Sequence, residues 1–203
     1  MMFAKIFKYF WRWIVKPGTA AEDQLYDKKN AGIGFWAVFI FAILYSGTAL
    51  LLHLTGFRPA FAPILPIPKE TYYFWQTFFT LPWAVVSWLF AGLIIFLWNR
   101  IFTREAKRRI SDILGPLGMA FVIPWFFFTW LPETLLAPIF GSWYFPPWPA
   151  WLEIIRLTIP ALWMAALIYI SARKIFDAKW FQCVGSALLG TAAFGLMFIL
   201  FMR

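Results

Sequence analysis

Residues 33–54 read Ile33-Gly34-Phe35-Trp36-Ala37-Val38-Phe39-Ile40-Phe41-Ala42-Ile43-Leu44-Tyr45-Ser46-Gly47-Thr48-Ala49-Leu50-Leu51-Leu52-His53-Leu54, with no formally charged side chain among them. At a rise of about 1.5 Å per residue this stretch makes a helix of roughly 33 Å, enough to cross a hydrocarbon core about 30 Å thick. Outward from it the pattern repeats. A second uncharged segment runs from Phe74 to Trp98 and is long enough to tilt. A third covers residues 113–131, broken by Pro116 and Pro124, a fourth covers 152–171 with Pro160 inside it, and a fifth covers 181–202. Prolines are tolerated in such segments, because neighbouring helices or polar side chains satisfy the carbonyls they free.

The composition as a whole agrees. Of 203 residues, 63% are hydrophobic and 13% charged, and the mean hydropathy is +0.72, against roughly half apolar and a quarter charged in soluble domains. A water-soluble fold of this size cannot hide so much apolar surface. A soluble enzyme, a nucleic-acid-binding domain and a disordered chain are thereby excluded. The expected fold class is all-α: a polytopic integral membrane protein with five transmembrane helices and an N-terminal amphipathic interfacial helix. Residues 1–30 form the N-terminal cytoplasmic helix and linker, and residues 31–203 form the five-span domain.

The N-terminal helix follows from Phe3, Ile6, Phe7, Phe10, Trp11 and Ile14, whose spacing marks one helical face. Lys5, Lys8 and Arg12 fall on other sides, which suits a helix lying among lipid headgroups. These bases also leave no uninterrupted apolar run of the kind a signal peptide needs. Pro17-Gly18 ends the helix, and the polar residues 19–30 read as a linker. The connection at 57–70 and the stretch at 132–150 are rich in proline and read as outer-surface loops against the bilayer. Trp143, Tyr144, Trp148 and Trp151 are interface anchors. The remaining Phe and Trp read as lipid-facing bulk.

The bases set the orientation. Lys5, Lys8, Arg12, Lys16, Lys28 and Lys29 precede the first span. Arg100, Arg104, Lys107, Arg108 and Arg109 fall between the second and third, and Arg173, Lys174 and Lys179 between the fourth and fifth. Arg58, Lys69 and Arg203 fall on the other side, with Arg156 just inside the fourth segment. The positive-inside rule then places the N-terminus in the cytoplasm and the C-terminus outside, in a cell (inner) membrane.

A search for chemistry is mostly negative. His53 is the lone histidine and reads as a polar residue near the outer interface. With one Cys183 and one His, a zinc cluster, a bis-His haem and a Ser-His-Asp triad all lack members, so neither enzymatic activity nor a cofactor is expected. Glu153 and Arg156, three apart on one helical face, pair near the outer end of the fourth span, line an outward cavity or touch a partner. The surface contacts expected are Lys5, Lys8, Arg12, Arg104, Lys107, Arg108 and Arg109, with anionic headgroups or an acidic protein as the ligand and no nucleic acid. The segment 99–110 reads as a basic helix. Ala187, Thr191 and Gly195 recur every four residues and allow close helix packing, within one subunit or between two copies.

The layout resembles a known family. A short amphipathic helix ending Ile14-Val15-Lys16-Pro17 precedes five spans. A basic connection then runs into Ile113-Leu114-Gly115-Pro116-Leu117-Gly118-Met119-Ala120-Phe121-Val122-Ile123-Pro124, and Arg173-Lys174-Ile175-Phe176-Asp177-Ala178-Lys179-Trp180 follows the fourth span. This is similar to the Yip-domain family of Ypt/Rab-interacting membrane proteins, in its short prokaryotic form. The resemblance implies five spans, a cytoplasmic N-terminus, no enzymatic activity and a role as scaffold or recruiter of protein partners. The Asp-Leu-Tyr-Gly-Pro type motif of the eukaryotic members is not found here, which removes the basis for a Rab partner. The rival expectation is a small transporter or lipid-handling protein, because broken helices often line substrate sites.

Overall fold

The computed structural model describes residues 2–59, 64–102, 108–136 and 150–202. Their order is α1 (Met2–Val15), α2 (Pro17–Leu25), α3 (Asn30–Leu54), α4 (Tyr72–Phe102), α5 (Ile110–Trp125), π1 (Phe126–Trp130), π2 (Pro132–Leu136), α6 (Ala150–Phe176) and α7 (Trp180–Met202), with no strand among the described residues. Five helices are long and apolar enough to cross a membrane: α3, α4, the continuous Ile110–Leu135, α6 and α7. The chain is thus an all-α multi-pass membrane protein.

Each span extends beyond its sequence-read limits by one to several residues, because the polar residues at its ends still form helix. Asn30 joins α3, and Asn99 to Phe102 join α4. Beyond Phe102 the basic helix expected over 99–110 does not continue through Arg108 and Arg109, which are non-helical; Arg104 and Lys107 lie outside the described residues. Helix α3 closes with Gly56 at a φ of 76°, a backbone that favours glycine. The Phe57 N–H donates to Leu52 O and the Gly56 N–H to His53 O, the paired bonds of a Schellman end.

The polar stretch after Pro17 is not a plain linker. Pro17 ends α1, since the residue before a proline is pushed out of helical geometry, and Lys16 sits at φ −142°, ψ 68°. The same proline is well placed at the first turn of a new helix, where its missing N–H is no loss. Helix α2 then turns back along α1 and faces Ala20, Ala21 and Gln24 inward.

The spans alternate in direction. His53 of α3 meets Phe74 of α4, Trp98 of α4 meets Gln182 of α7, and Phe127 of π1 meets Trp163 of α6. The Asn30 end of α3 and the Met202 end of α7 therefore lie at opposite ends of the bundle. Helix α5 is central. Everything from Ile113 to Pro124 is buried, and α3, α4, α6 and the α1–α2 hairpin pack around it.

Glycines permit that centrality. A methyl group on Gly34 would stand 2.5 Å from the Leu114 carbonyl oxygen, and one on Gly118 would stand 2.6 Å from the Gly34 Cα. The backbones of α3 and α5 touch with no side chain between them, as small residues allow in membranes. Pro116 cannot donate to the carbonyl four residues earlier, that of Asp112. The Asn30 side-chain amide donates to it instead, at 2.9 Å, and to Ser111 O at 3.2 Å.

Three of the four tryptophans of α4 are not simply lipid-facing bulk. Trp83 donates to Met197 O, Trp88 to Leu114 O and Trp98 to Gln182 O, at 3.0, 2.8 and 3.0 Å. A buried indole N–H needs such a partner, and these three join α4 to α5 and α7. Lipid-facing bulk is supplied by other residues, such as Leu44, Leu93, Leu162, Leu188 and Ile199, all exposed.

Candidate functional site

Two polar constellations stand out, one at the end of the bundle that carries the hairpin and one in the half farthest from it.

At the first, α1 and α2 lie antiparallel and are joined by charge. Lys5 Nζ is 2.5 Å from Asp27 Oδ2, and Arg12 pairs with Asp23. Lys174 Nζ, at the end of α6, is 2.6 Å from Glu22 Oε1. The Tyr9 hydroxyl donates to Asp23 O, and Trp13 Nε1 donates to Gln24 Oε1 at 2.7 Å. Lys5 and Arg12, read from sequence as surface contacts, are thus occupied within the chain. Lys8 and Arg109 are exposed, and Arg108 is half-buried.

The amphipathic face of α1 divides in two. Ile6, Phe10 and Ile14 pack on the bundle beside the buried Tyr9 and Trp13, whereas Phe3, Phe7, Trp11 and Val15 are exposed at every fourth position. Phe10 reaches the rings of Phe126 and Phe127, at 5.6 and 6.0 Å between centroids. The docked face, centred on Tyr9 and Trp13, was not separable in sequence from the apolar residues that stay outside.

Burial pushes the Tyr9 phenol up from its ordinary range, and the carboxylates of Asp27 and Asp23 push it further. For Asp27, burial acts upward too, but the hydrogen bond from Lys5, the Lys29 N–H and the Lys5 charge together hold it below the usual carboxylate value. A carboxylate depressed in the folded state contributes stability above its unfolded value, about 3.9, and loses it as pH falls through the folded one. The hairpin is therefore expected to loosen below about pH 4. Hydrogen exchange over residues 2–15, corrected for intrinsic rates, checks this. Unchanged protection on going from neutral pH to pH 3 would refute it.

The second constellation lies where the central span changes register. The Leu131 N–H donates to Phe126 O, five residues back, and π geometry continues to Leu136. The sequence reading ends this span at 131 and starts a loop at Pro132. Instead, the helix runs on through Pro132, the wider π turn giving the ring room against the preceding backbone. The rest of the proline-rich stretch, with Trp143, Tyr144 and Trp148, lies outside the described residues.

The extension carries Glu133 into the bundle. Glu133 is buried, and Arg156 of α6 donates to its carboxylate, the two side chains being 7% and 11% exposed. Thr48 of α3 and Thr134 of π2 share a 2.5 Å hydrogen bond. Sequence analysis identified Arg156 but gave it Glu153, whose side chain lies outside the described residues, and it missed Glu133 altogether. One signal was present: Glu133 is the lone acidic residue between Asp112 and Glu153.

The other expected positions are dispersed. His53 packs against the Phe74 ring, 5.4 Å between centroids. Among the described residues no group of three His, Cys, Asp or Glu side chains is placed to hold a metal. In α7, Ala187 is buried and Thr191 half-buried, but Gly195 faces open space. The close contacts come instead from Gly185, under the Trp98 indole, and Gly190, against Ile95 and Ile168. The packing register is therefore set by these glycines, because α4 and α6 both cross α7 there.

Comparison with known proteins finds no similar family model, curated protein or solved structure.

Proposed function

We propose that the chain is a non-enzymatic multi-pass membrane protein of the Yip-domain type that recruits protein partners and anionic headgroups at the cytoplasmic membrane face. The observation that carries this reading is the gathering of bases at one end of the bundle. Lys8, Lys16, Lys28, Lys29, Arg109, Arg173 and Lys179 are all exposed there. The ion pairs of Lys5, Arg12 and Lys174 hold the hairpin in place, so the exposed bases sit on a fixed platform rather than a loose arm. Basic residues at such a surface contribute roughly 1 kcal/mol each towards anionic lipid. The positive-inside rule makes this end cytoplasmic and the C-terminus external.

The test is a native-lipid pull-down through a C-terminal tag, followed by mass spectrometry. Neutralising Lys107, Arg108 and Arg109 to glutamine is expected to reduce recovery of a stoichiometric protein partner at least tenfold while the spans stay folded. Undiminished recovery would overturn the recruiter reading, and a C-terminal reporter found in the cytoplasm would overturn the orientation.

A second reading, a small transporter or lipid-handling protein, is favoured by one specific observation. An ion pair is buried on a π-helical turn inside the spans, and intramembrane charges mark ligand or ion pathways more often than they serve packing.

A further inference from the structure

We propose that α1 is a wedge lying in the plane of one leaflet, its exposed strip inserted among the lipids at the basic end of the bundle, and that this wedge concentrates the protein on membrane that bulges towards that end. Such a wedge acts through lipid alone, whether or not the chain also recruits a protein partner.

Both ends of α1 sit at the same end of the spans. A methyl group on Gly32, the third residue of α3, would stand 3.5 Å from Met2 Cε. One on Gly18, just past α1, would stand 3.6 Å from the Cε of Lys174, near the end of α6. Helix α3 starts and α6 finishes at the basic end, so α1 runs across the spans rather than along them, over about 21 Å. Its roll is fixed as well. Successive residues turn by about 100°, which puts Lys5, Lys8 and Arg12 on one side and Phe3, Phe10 and Ile14 on the opposite one. The Phe10 ring meets Phe126 and Phe127, beyond the far end of α5 from Arg109. The apolar side therefore points inward along the spans, and the bases point outward to the headgroups.

The strip beside that apolar side is uncovered. Phe3, Phe7 and Val15 are 69, 67 and 69% exposed, and Trp11 shares their row with its ring edge-on to Phe7 at 6.3 Å. At this depth the bundle is surrounded by lipid. An apolar strip rimmed by bases inserts between headgroups and acyl chains while the bases meet anionic phosphates, and a Trp ring favours the same boundary. A free amphipathic helix can leave the bilayer again. Helix α1 cannot, because the buried Tyr9 and Trp13 and three ion pairs fasten the hairpin together and to α6. Each span crosses both leaflets, whereas α1 adds about 200 Å² to one of them. That excess spreads the leaflet, and convex curvature relieves it.

Depth is read from nitroxide labels at Phe7→Cys and, separately, Lys8→Cys in a full-length Cys183→Ala chain. The host vesicles hold three parts phosphatidylcholine to one part phosphatidylglycerol. The Phe7 label is expected to collide with oxygen about threefold more than with a water-soluble nickel chelate, and the Lys8 label to show the reverse. Curvature is read on the same background with a fluorophore at Tyr26→Cys, on vesicles about 50 to about 400 nm across. A membrane-impermeant quencher separates molecules whose basic end faces outward from those facing the lumen. Outward-facing molecules are expected to be enriched about threefold per unit area on the smallest vesicles, and lumen-facing ones depleted. The triple change Phe3→Gln, Phe7→Gln and Trp11→Gln, all at exposed positions, is expected to bring both ratios close to one while the thermal midpoint stays near wild type. The matching triple change to alanine keeps helix propensity and stands in if the glutamine variant does not fold.

Equal density on all vesicle sizes would overturn the wedge. So would an enrichment that survives the triple change, which would assign the preference to the shape of the spans. A Phe7 label open to the chelate would place the strip in water and overturn it too. A label shielded from both collision partners, with dipolar broadening between labels, would show a second copy covering the strip in place of lipid, which equally refutes it.

Discussion

Replacing Arg156 with methionine is expected to destabilise the folded bundle by about 3–5 kcal/mol, the range found when one partner of a buried ion pair is removed. Methionine fills most of the space of the arginine stem, so the loss is electrostatic rather than steric. Glu133 would be left buried with its charge no longer met by the Arg156 guanidinium. The double variant Arg156→Met with Glu133→Gln removes that stranded charge and is expected to recover at least half of the loss. Reversible unfolding in mixed micelles, with the single and double variants side by side, measures both. A double variant as unstable as the single one would show that the pair acts through packing and not through charge.

Gly34→Ala is expected to be among the more damaging single-methyl changes at the described residues, costing about 3 kcal/mol or more from overpacking. The added carbon would lie 2.5 Å from Leu114 O, 2.7 Å from the Gly115 Cα and 2.9 Å from Gly115 O, and all three atoms belong to backbone. Side chains can turn away from an intruder; a helix backbone can yield only by moving as a whole. That movement would carry α5 away from the Asn30 amide and from the Trp88 indole that donates to Leu114 O. Gly47→Ala, on the same helix with nothing within 4 Å of its added carbon, is the matched control. It is expected to stabilise by up to about 1 kcal/mol through helix propensity. Equal unfolding midpoints for the two variants would refute the account of the α3–α5 contact.

Some of this was open to reading in one dimension. The five spans were legible because a bilayer tests one local property, an uncharged apolar run of sufficient length. The N-terminal helix was legible from its spacing, and the clustering of bases from simple position. Reading stopped short wherever one helix completes the hydrogen bonding of another. Pro116 announced a freed carbonyl, but only the placement of α3 reveals that Asn30 answers it. Trp88 looked like any membrane tryptophan until its indole was found on Leu114 O.

The candidate sites divide in the same way. Lys5 and Arg12 were legible as bases on a helix, but their pairing with Asp27 and Asp23 depends on α2 folding back, which a stretch read as linker conceals. Arg156 was legible as an intramembrane charge, whereas its partner was not. Glu133 follows a proline that stops an ordinary helix, and a change of register to the π form, stabilised by neighbours on α3 and α6, carries it inside. Sequence alone therefore determined the membrane class and the count of spans, because solvent partitioning acts on each segment separately. Only the tertiary structure decided which charges meet, because an ion pair needs two distant segments in one register and at one depth.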